Sequence, residues 1–203
     1  MKEKRIAVYS GSFNPLHIGH LAIIRHLIGK AGFDMVYLIV SPKNPLKEGI
    51  SSDSGCDRYN AAVEAVKRHF PAETGEHEGH MTPASVGKVK VDDIELRMPE
   101  PHYTIRTLDA LMEREPGCSF TLVMGADNLA DIRRWRDYSR ILKEYGAAVY
   151  PRRGFDLESI KNDLLQENPS YMISLLDAEM VDISSTIIRE AIASGKDVSS
   201  LLM

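Results

Sequence analysis

The chain alternates short unbroken apolar runs with longer stretches in which apolar residues recur every three or four positions. Ile6-Ala7-Val8-Tyr9 is continuously apolar and stops at Ser10-Gly11, the pattern of a buried strand opening into a turn. From Ile18 to Ile28 apolar positions 18, 21, 24, 27 and 28 recur at helical spacing, and Gly29 and Gly32 supply stop signals. Met35 to Val40 is a second unbroken run, rich in β-formers and closed by Ser41-Pro42. Strand, turn, helix and strand in such quick succession predict a βαβ unit of a parallel sheet.

The pattern continues along the chain. Asp57 to Phe70 predicts a helix with Ala61, Ala62, Ala65 and Val66 on one side, and Val89 to Leu96 alternates as a strand would. Helices are expected at Thr104–Glu115, Leu129–Glu144 and Leu157–Gln166, and strands at Phe120–Met124, Ala147–Tyr150 and, more weakly, Tyr171–Leu175. A last helix is expected to open near Ser184-Ser185-Thr186, whose hydroxyls can cap free N–H groups. Pro71 to Lys88 holds three Gly and two Pro with almost no large apolar residue, so it reads as a loop insertion. With no repeat, heptad or linker, residues 1–203 are expected to form one α/β domain, a Rossmann-like open parallel sheet flanked by helices on both faces, carrying an insertion at 71–88.

Composition narrows the function classes. A chain of 203 residues buries roughly 70% of its unfolded surface and needs no disulfide or metal to hold a core. Twenty-five basic against 29 acidic residues leave a net charge of −4, which argues against a nucleic-acid-coating protein but not against phosphate-bearing small molecules. Cys56 and Cys118 lie far apart without CxxC spacing, and the apolar stretch after Met1-Lys2-Glu3-Lys4-Arg5 is too short for a signal h-region. The expectation is a cytoplasmic protein with no membrane and no nucleic-acid partner; a homo-oligomer stays open.

Two segments carry the chemistry. Ser10 to His20 (SGSFNPLHIGH) is a glycine-containing turn between a strand and a helix, where backbone can approach a phosphate and free N–H groups face it. His17 and His20, three apart, project from one face of the first helical turn and can hydrogen-bond phosphate oxygens or, if protonated, neutralise them. Gly19 leaves the same spot uncrowded. Ser184-Ser185-Thr186-Ile187-Ile188-Arg189 offers a second helix start with hydroxyls and a guanidinium, although a plain serine cap with a surface arginine fits it as well.

Together these segments resemble the HxGH nucleotidyltransferase superfamily, specifically bacterial nicotinate-nucleotide adenylyltransferases. Gly11–His20 is similar to the family's G-[ST]-F-[DN]-P-x-H-x-G-H segment, and Ile183–Arg189 to its I-S-S-T-x-I-R segment. Tyr103-Thr104 resembles its S-Y-T, with His102 in place of serine. Met124–Asn128 resembles G-[AQ]-D, with Trp135 at the expected distance, and Arg152-Arg153-Gly154-Phe155 resembles R-P-G-[FY], with Arg153 in place of proline. The resemblance implies adenylyl transfer from ATP, with Mg2+, to nicotinate mononucleotide. It implies catalytic roles for His17, His20 and Arg189, and ATP contacts from Gly11, Ser12, Phe13, His17, His20, Arg152, Ser184, Ser185, Thr186 and Arg189. It places Tyr103, Thr104, Asp127 and Trp135 around the acceptor.

Several features depart from that pattern or stand outside it. Ser10 and Asn14 replace a more usual glycine and aspartate, and Ser41–Lys47 matches the family's P-P-H-K turn only loosely, leaving open whether Lys43 and Lys47 reach phosphates. His77-Glu78-Gly79-His80 lacks the further ligands a zinc site needs, so no protein-held metal is expected. Asp92, Asp93 and Glu95 read as a solvated strand edge. The alternatives are an adenylyltransferase for nicotinamide mononucleotide or phosphopantetheine, or a non-catalytic nucleotide-binding sensor. The chain is short for a class I aminoacyl-tRNA synthetase and lacks a KMSKS-like loop.

Overall fold

A computed structural model describes residues 3–42, 55–70, 85–178 and 183–203. In chain order the strands are β1 (Lys4–Gly11), β2 (Met35–Val40), β3 (Ser85–Val86), β4 (Val89–Asp92), β5 (Cys118–Gly125), β6 (Ala147–Tyr150) and β7 (Ile173–Leu175). The helices are α1 (Ile18–Gly29), α2 (Gly55–His69), α3 (Ile94–Arg97), α4 (Thr104–Arg114), α5 (Ala126–Ala130), α6 (Tyr138–Arg140), α7 (Leu157–Glu167) and α8 (Ser185–Ala193). Among the described residues the strands form one sheet in the order β3-β4-β2-β1-β5-β6-β7. All neighbours are parallel except the two-residue edge strand β3, which runs antiparallel to β4.

The unbroken apolar runs are strands covered on both sides, as parallel sheets require. Ala7 and Tyr9 of β1 face a core shared with α1 and α2, while Ile6 and Val8 face a second core under α4 and α5. The order reverses between β1 and β5, so the crevice at their C-terminal ends is the switch point where open α/β sheets bind ligands.

Three expectations are corrected. The helix expected over Leu129–Glu144 is broken into α5, a 3-10 turn (Ile132–Arg134), α6 and a π-helical turn (Ile141–Tyr145). Fully buried positions stop at Ile132 and resume at Ile141, and the arginine-rich stretch between them offers the core only the half-buried Trp135 and Tyr138, too little to hold a continuous helix. The strand expected to Leu96 ends at Asp92, because Asp92 Oδ1 accepts the Ile94 N–H at 3.0 Å and turns the chain into α3. The loop read at 71–88 includes β3 and its turn, where Gly87 takes φ +59°. The rest of it, 71–84, lies outside the described residues, as do Lys43, Lys47 and His77–His80. No helix among the described residues is long and apolar enough to cross a membrane.

Candidate active site

The turn after β1 is built by its own packing. Phe13 takes φ +45° and buries its ring edge-on against Tyr9 (5.5 Å) and His20 (5.3 Å), so its side chain is part of the core. His17 is the extended residue that caps α1, and its backbone N–H donates to His20 Nδ1 at 3.2 Å. A neutral imidazole that accepts at Nδ1 carries its proton on Nε2, so the neutral His20 ring is held in the tautomer that donates from that atom. The two imidazoles stack with centroids 3.8 Å apart. Burial first, and then the Arg152 guanidinium, push His17 down to about 4. Burial, His17 and Arg152 hold His20 well below the ordinary imidazole value. At neutral pH both rings are therefore neutral hydrogen-bonding groups, which removes cationic neutralisation as their resting role.

The start of α8 is stitched to this turn. Ser184 caps the helix, its Oγ accepting from Ile187 N–H at 3.3 Å, and Ser185 Oγ donates to Pro15 O at 3.1 Å. Arg189 donates to Asn14 O at 2.8 Å and to Thr186 Oγ1 at 3.0 Å. Two segments some 170 residues apart in sequence thus meet behind one turn.

Two cavities open at the switch point. The smaller, about 20 Å3, is lined by His17, Gly19, His20, Arg152 and Ile183. The larger, about 180 Å3, is lined by Gly11, Ser12, His102, Tyr103, Thr104, Trp135, Arg134 and Arg136 among others. Tyr9 and Tyr150 line both and form the partition between them. Burial first, and then Tyr150, push Tyr9 well above the ordinary phenol value, so it stays protonated. Arg152 lies over the Tyr150 ring at 5.2 Å and 3.9 Å from Asp127 Oδ1.

Of the residues singled out from the sequence, Tyr103, Thr104 and Trp135 converge on the larger cavity, with Gly11 and Ser12 on the same wall. His17, His20 and Arg152 converge on the smaller one. Asp127 lines neither: its half-exposed carboxylate faces Arg152. Trp135 Nε1 and His102 Nδ1 are buried polar atoms without a hydrogen-bond partner, and both residues line the larger cavity.

The reading of Asp92 and Glu95 as a solvated edge is overturned, since each is only 3% exposed. Arg114 binds Asp92 through two nitrogens, at 2.6 and 3.1 Å, and Lys90 reaches it at 2.9 Å. Glu95 accepts from Thr107 Oγ1 at 2.8 Å and lines the larger cavity. Asp93 stays on the surface side, paired with Arg97. Sequence reasoning also passed over Tyr9, Tyr150 and Arg58. A charged residue on the alanine face of α2 was the available signal for Arg58.

Comparison with known proteins agrees with this geometry. The cytidylyltransferase-like family model matches residues 8–191, which spans the turn after β1 and the start of α8. The chain belongs to that family. Among its relatives, a protein named "Probable nicotinate-nucleotide adenylyltransferase" from Flavobacterium johnsoniae is 35% identical over 98% of this chain and 91% of its own length. Proteins of the same name from Flavobacterium psychrophilum (36%, 98% and 91%) and Bacteroides fragilis (35%, 100% and 89%) match equally broadly. Plasmodium falciparum nicotinic acid mononucleotide adenylyltransferase complexed with NaAD superposes with a TM-score of 0.72 at 20% identity, covering 97% of this chain and 87% of that one. At that identity the superposition establishes the shared fold.

Proposed function

We propose that this chain transfers the adenylyl group of ATP to nicotinate mononucleotide, giving deamido-NAD and pyrophosphate. The observation that carries the reading is the pair of cavities meeting at the Tyr9–Tyr150 partition, one lined by paired imidazoles and a guanidinium, the other by an indole and two arginines. An oxygen of the acceptor's phosphate attacks the α-phosphorus of ATP, the bond from that phosphorus to the bridging oxygen breaks, and pyrophosphate leaves with its electron pair. The nucleophile is already an anion, so alignment and charge stabilisation take the place of a strong base.

In this reading His17 and His20 donate hydrogen bonds to the phosphates, Arg152 supplies positive charge beside them, and Arg189 holds the turn with Ser185. Gly11 and Ser12 contribute to the wall of the larger cavity, and Ser184 and Thr186 organise the start of α8. Trp135 stacks on the electron-poor pyridinium ring. Tyr103 and Thr104 border it, and Arg134 and Arg136 give that end of the cavity the charge a nicotinate carboxylate needs. Asp127 acts at one remove, by orienting Arg152.

Among the described residues no three His, Cys, Asp or Glu side chains come together to cage an ion. In this reading Mg2+ comes with the substrate, on the triphosphate, with most of its ligands from phosphate and water. The test is pyrophosphate release with MgATP and a panel of nicotinate mononucleotide, nicotinamide mononucleotide and phosphopantetheine. The expected result is release with nicotinate mononucleotide above the other two; no release with either pyridine nucleotide overturns the reading.

A further inference from the structure

The geometry points to Arg58 as a positioning residue for adenylyl transfer, a brace that sets the Ser12 turn against the Ser41–Pro42 loop behind the acceptor cavity; this rests on the function proposed above. Arg58 projects from the same face of α2 as Ala62, Ala65 and Val66, and is only 5% exposed. Its guanidinium donates to Ser12 O at 2.7 Å, Ser41 O at 2.8 Å and Pro42 O at 2.8 Å. These carbonyls belong to the segments that leave the C-terminal ends of β1 and β2. The strands themselves are paired up to Gly11 and Val40, and Ser41 N–H adds one more bond to Gly11 O at 2.9 Å. The register between the strands ends there, and Arg58 links the two segments beyond it.

The choice of residue follows from the acceptors. Three carbonyls on two chain segments need donors fixed in a plane and pointing in different directions, which a guanidinium supplies and an ammonium concentrated at one atom does not. The braced positions matter to the reaction. Ser12 and Ser41 both line the acceptor cavity, and Ser12 leads through Phe13 and Asn14 to His17. Arg189 holds the same turn at Asn14 O from the other side. The turn that runs from the wall of the larger cavity at Ser12 to the smaller one at His17 is thus clamped at two carbonyls by two arginines, and a displacement there misaligns the attacking oxygen with the α-phosphorus. In reactions governed by alignment, about 1 Å of misplacement costs on the order of a hundredfold in rate.

The experiment uses the full chain with Arg58→Lys and Arg58→Gln. It measures kcat and KM by pyrophosphate release, Tm, and acceptor Kd from Trp135 fluorescence, Trp135 being the only tryptophan and a wall of the cavity. The expected result is a kcat at least tenfold below wild type in both variants, with acceptor Kd within threefold and Arg58→Lys the less impaired. Unchanged kcat with only a lowered Tm overturns the brace, and so does a loss confined to acceptor Kd. Failure of both variants to fold at 10 °C also overturns it, leaving an anchor of the fold. The wild-type acceptor panel tests the functional reading separately. If release occurs only with phosphopantetheine, that reading falls while the variant-to-wild-type ratio with that acceptor still decides the role of Arg58.

Discussion

Gly19 sits in the first turn of α1 with its backbone pressed into the site, and Gly19→Ala separates stability from alignment. A Cβ there would lie 2.9 Å from Ile183 Cγ2, 3.0 Å from His17 Nδ1 and 3.1 Å from His17 Cε1, whereas ordinary contacts begin near 3.4 Å. Ile183 is anchored in a small cluster with Ile188 and Val198, so part of the adjustment falls on the His17 ring. Alanine in a helix gains about 1 kcal/mol over glycine. Overpacking of this kind costs about 1–3 kcal/mol. The net is a loss of about 0–2 kcal/mol, or a Tm lowered by no more than about 8 °C for a chain of this size. Activity should respond more strongly. A shift of a few tenths of an ångström in a phosphate-facing imidazole is expected to lower kcat about 4- to 10-fold, by the same alignment argument. Steady-state kinetics and thermal unfolding of the purified variant read both numbers. The control is Gly29→Ala at the other end of α1, where a Cβ meets nothing within 4 Å and kcat should not change. A Gly19→Ala enzyme with kcat within twofold of wild type would refute the claim that close packing at Gly19 sets the His17 position.

Three further outcomes are expected. Because the folded-state pKa of His17 is depressed to about 4, the unfolded chain binds more protons below about pH 6.5; stability falls as pH drops from there toward 4, by up to about 1.4 kcal/mol per unit from this group. Urea midpoints at pH 7.5 and 5.0 should therefore differ less in His17→Gln than in wild type, and equal slopes would remove His17 as the cause. Trp135→Ala should raise the acceptor KM about tenfold or more with kcat changed little, as loss of a stacking surface predicts, and an unchanged KM would return the indole to packing. Arg134→Gln with Arg136→Gln should erase about 10-fold or more of the preference for the nicotinate over the nicotinamide nucleotide, the range of one charge-assisted hydrogen bond; a retained preference in competition assays would assign it to backbone donors.

The parts of this fold that were legible in the sequence share one physical property: their pattern is local. Met35–Val40 could be bounded to the residue because a strand covered on both faces leaves no polar position, and α1 because its apolar spacing and its stop at Gly29 lie within twelve residues. The HxGH turn was legible for the same reason, since capping, glycine and imidazoles follow one another along the chain. What escaped depends on partners distant in sequence. Periodicity marks Tyr9 and Tyr150 as buried but carries nothing about the register by which β5 sets them side by side, with Tyr9 paired to Val123 and Tyr150 to Gly125. Asp92 and Glu95 look like a wet edge until Arg114 and Thr107, both on α4, are packed against them. The break at Trp135 is the most instructive miss. A helix through 129–144 would satisfy local propensity, yet the chain leaves it at Trp135, whose backbone is extended and whose indole N–H is left without a protein partner beside the acceptor cavity. A buried donor without a partner in a cavity wall calls for an explanation, and under the function proposed above a ligand supplies it, which would make the irregular segment, as much as the sheet, the place where the acceptor is selected.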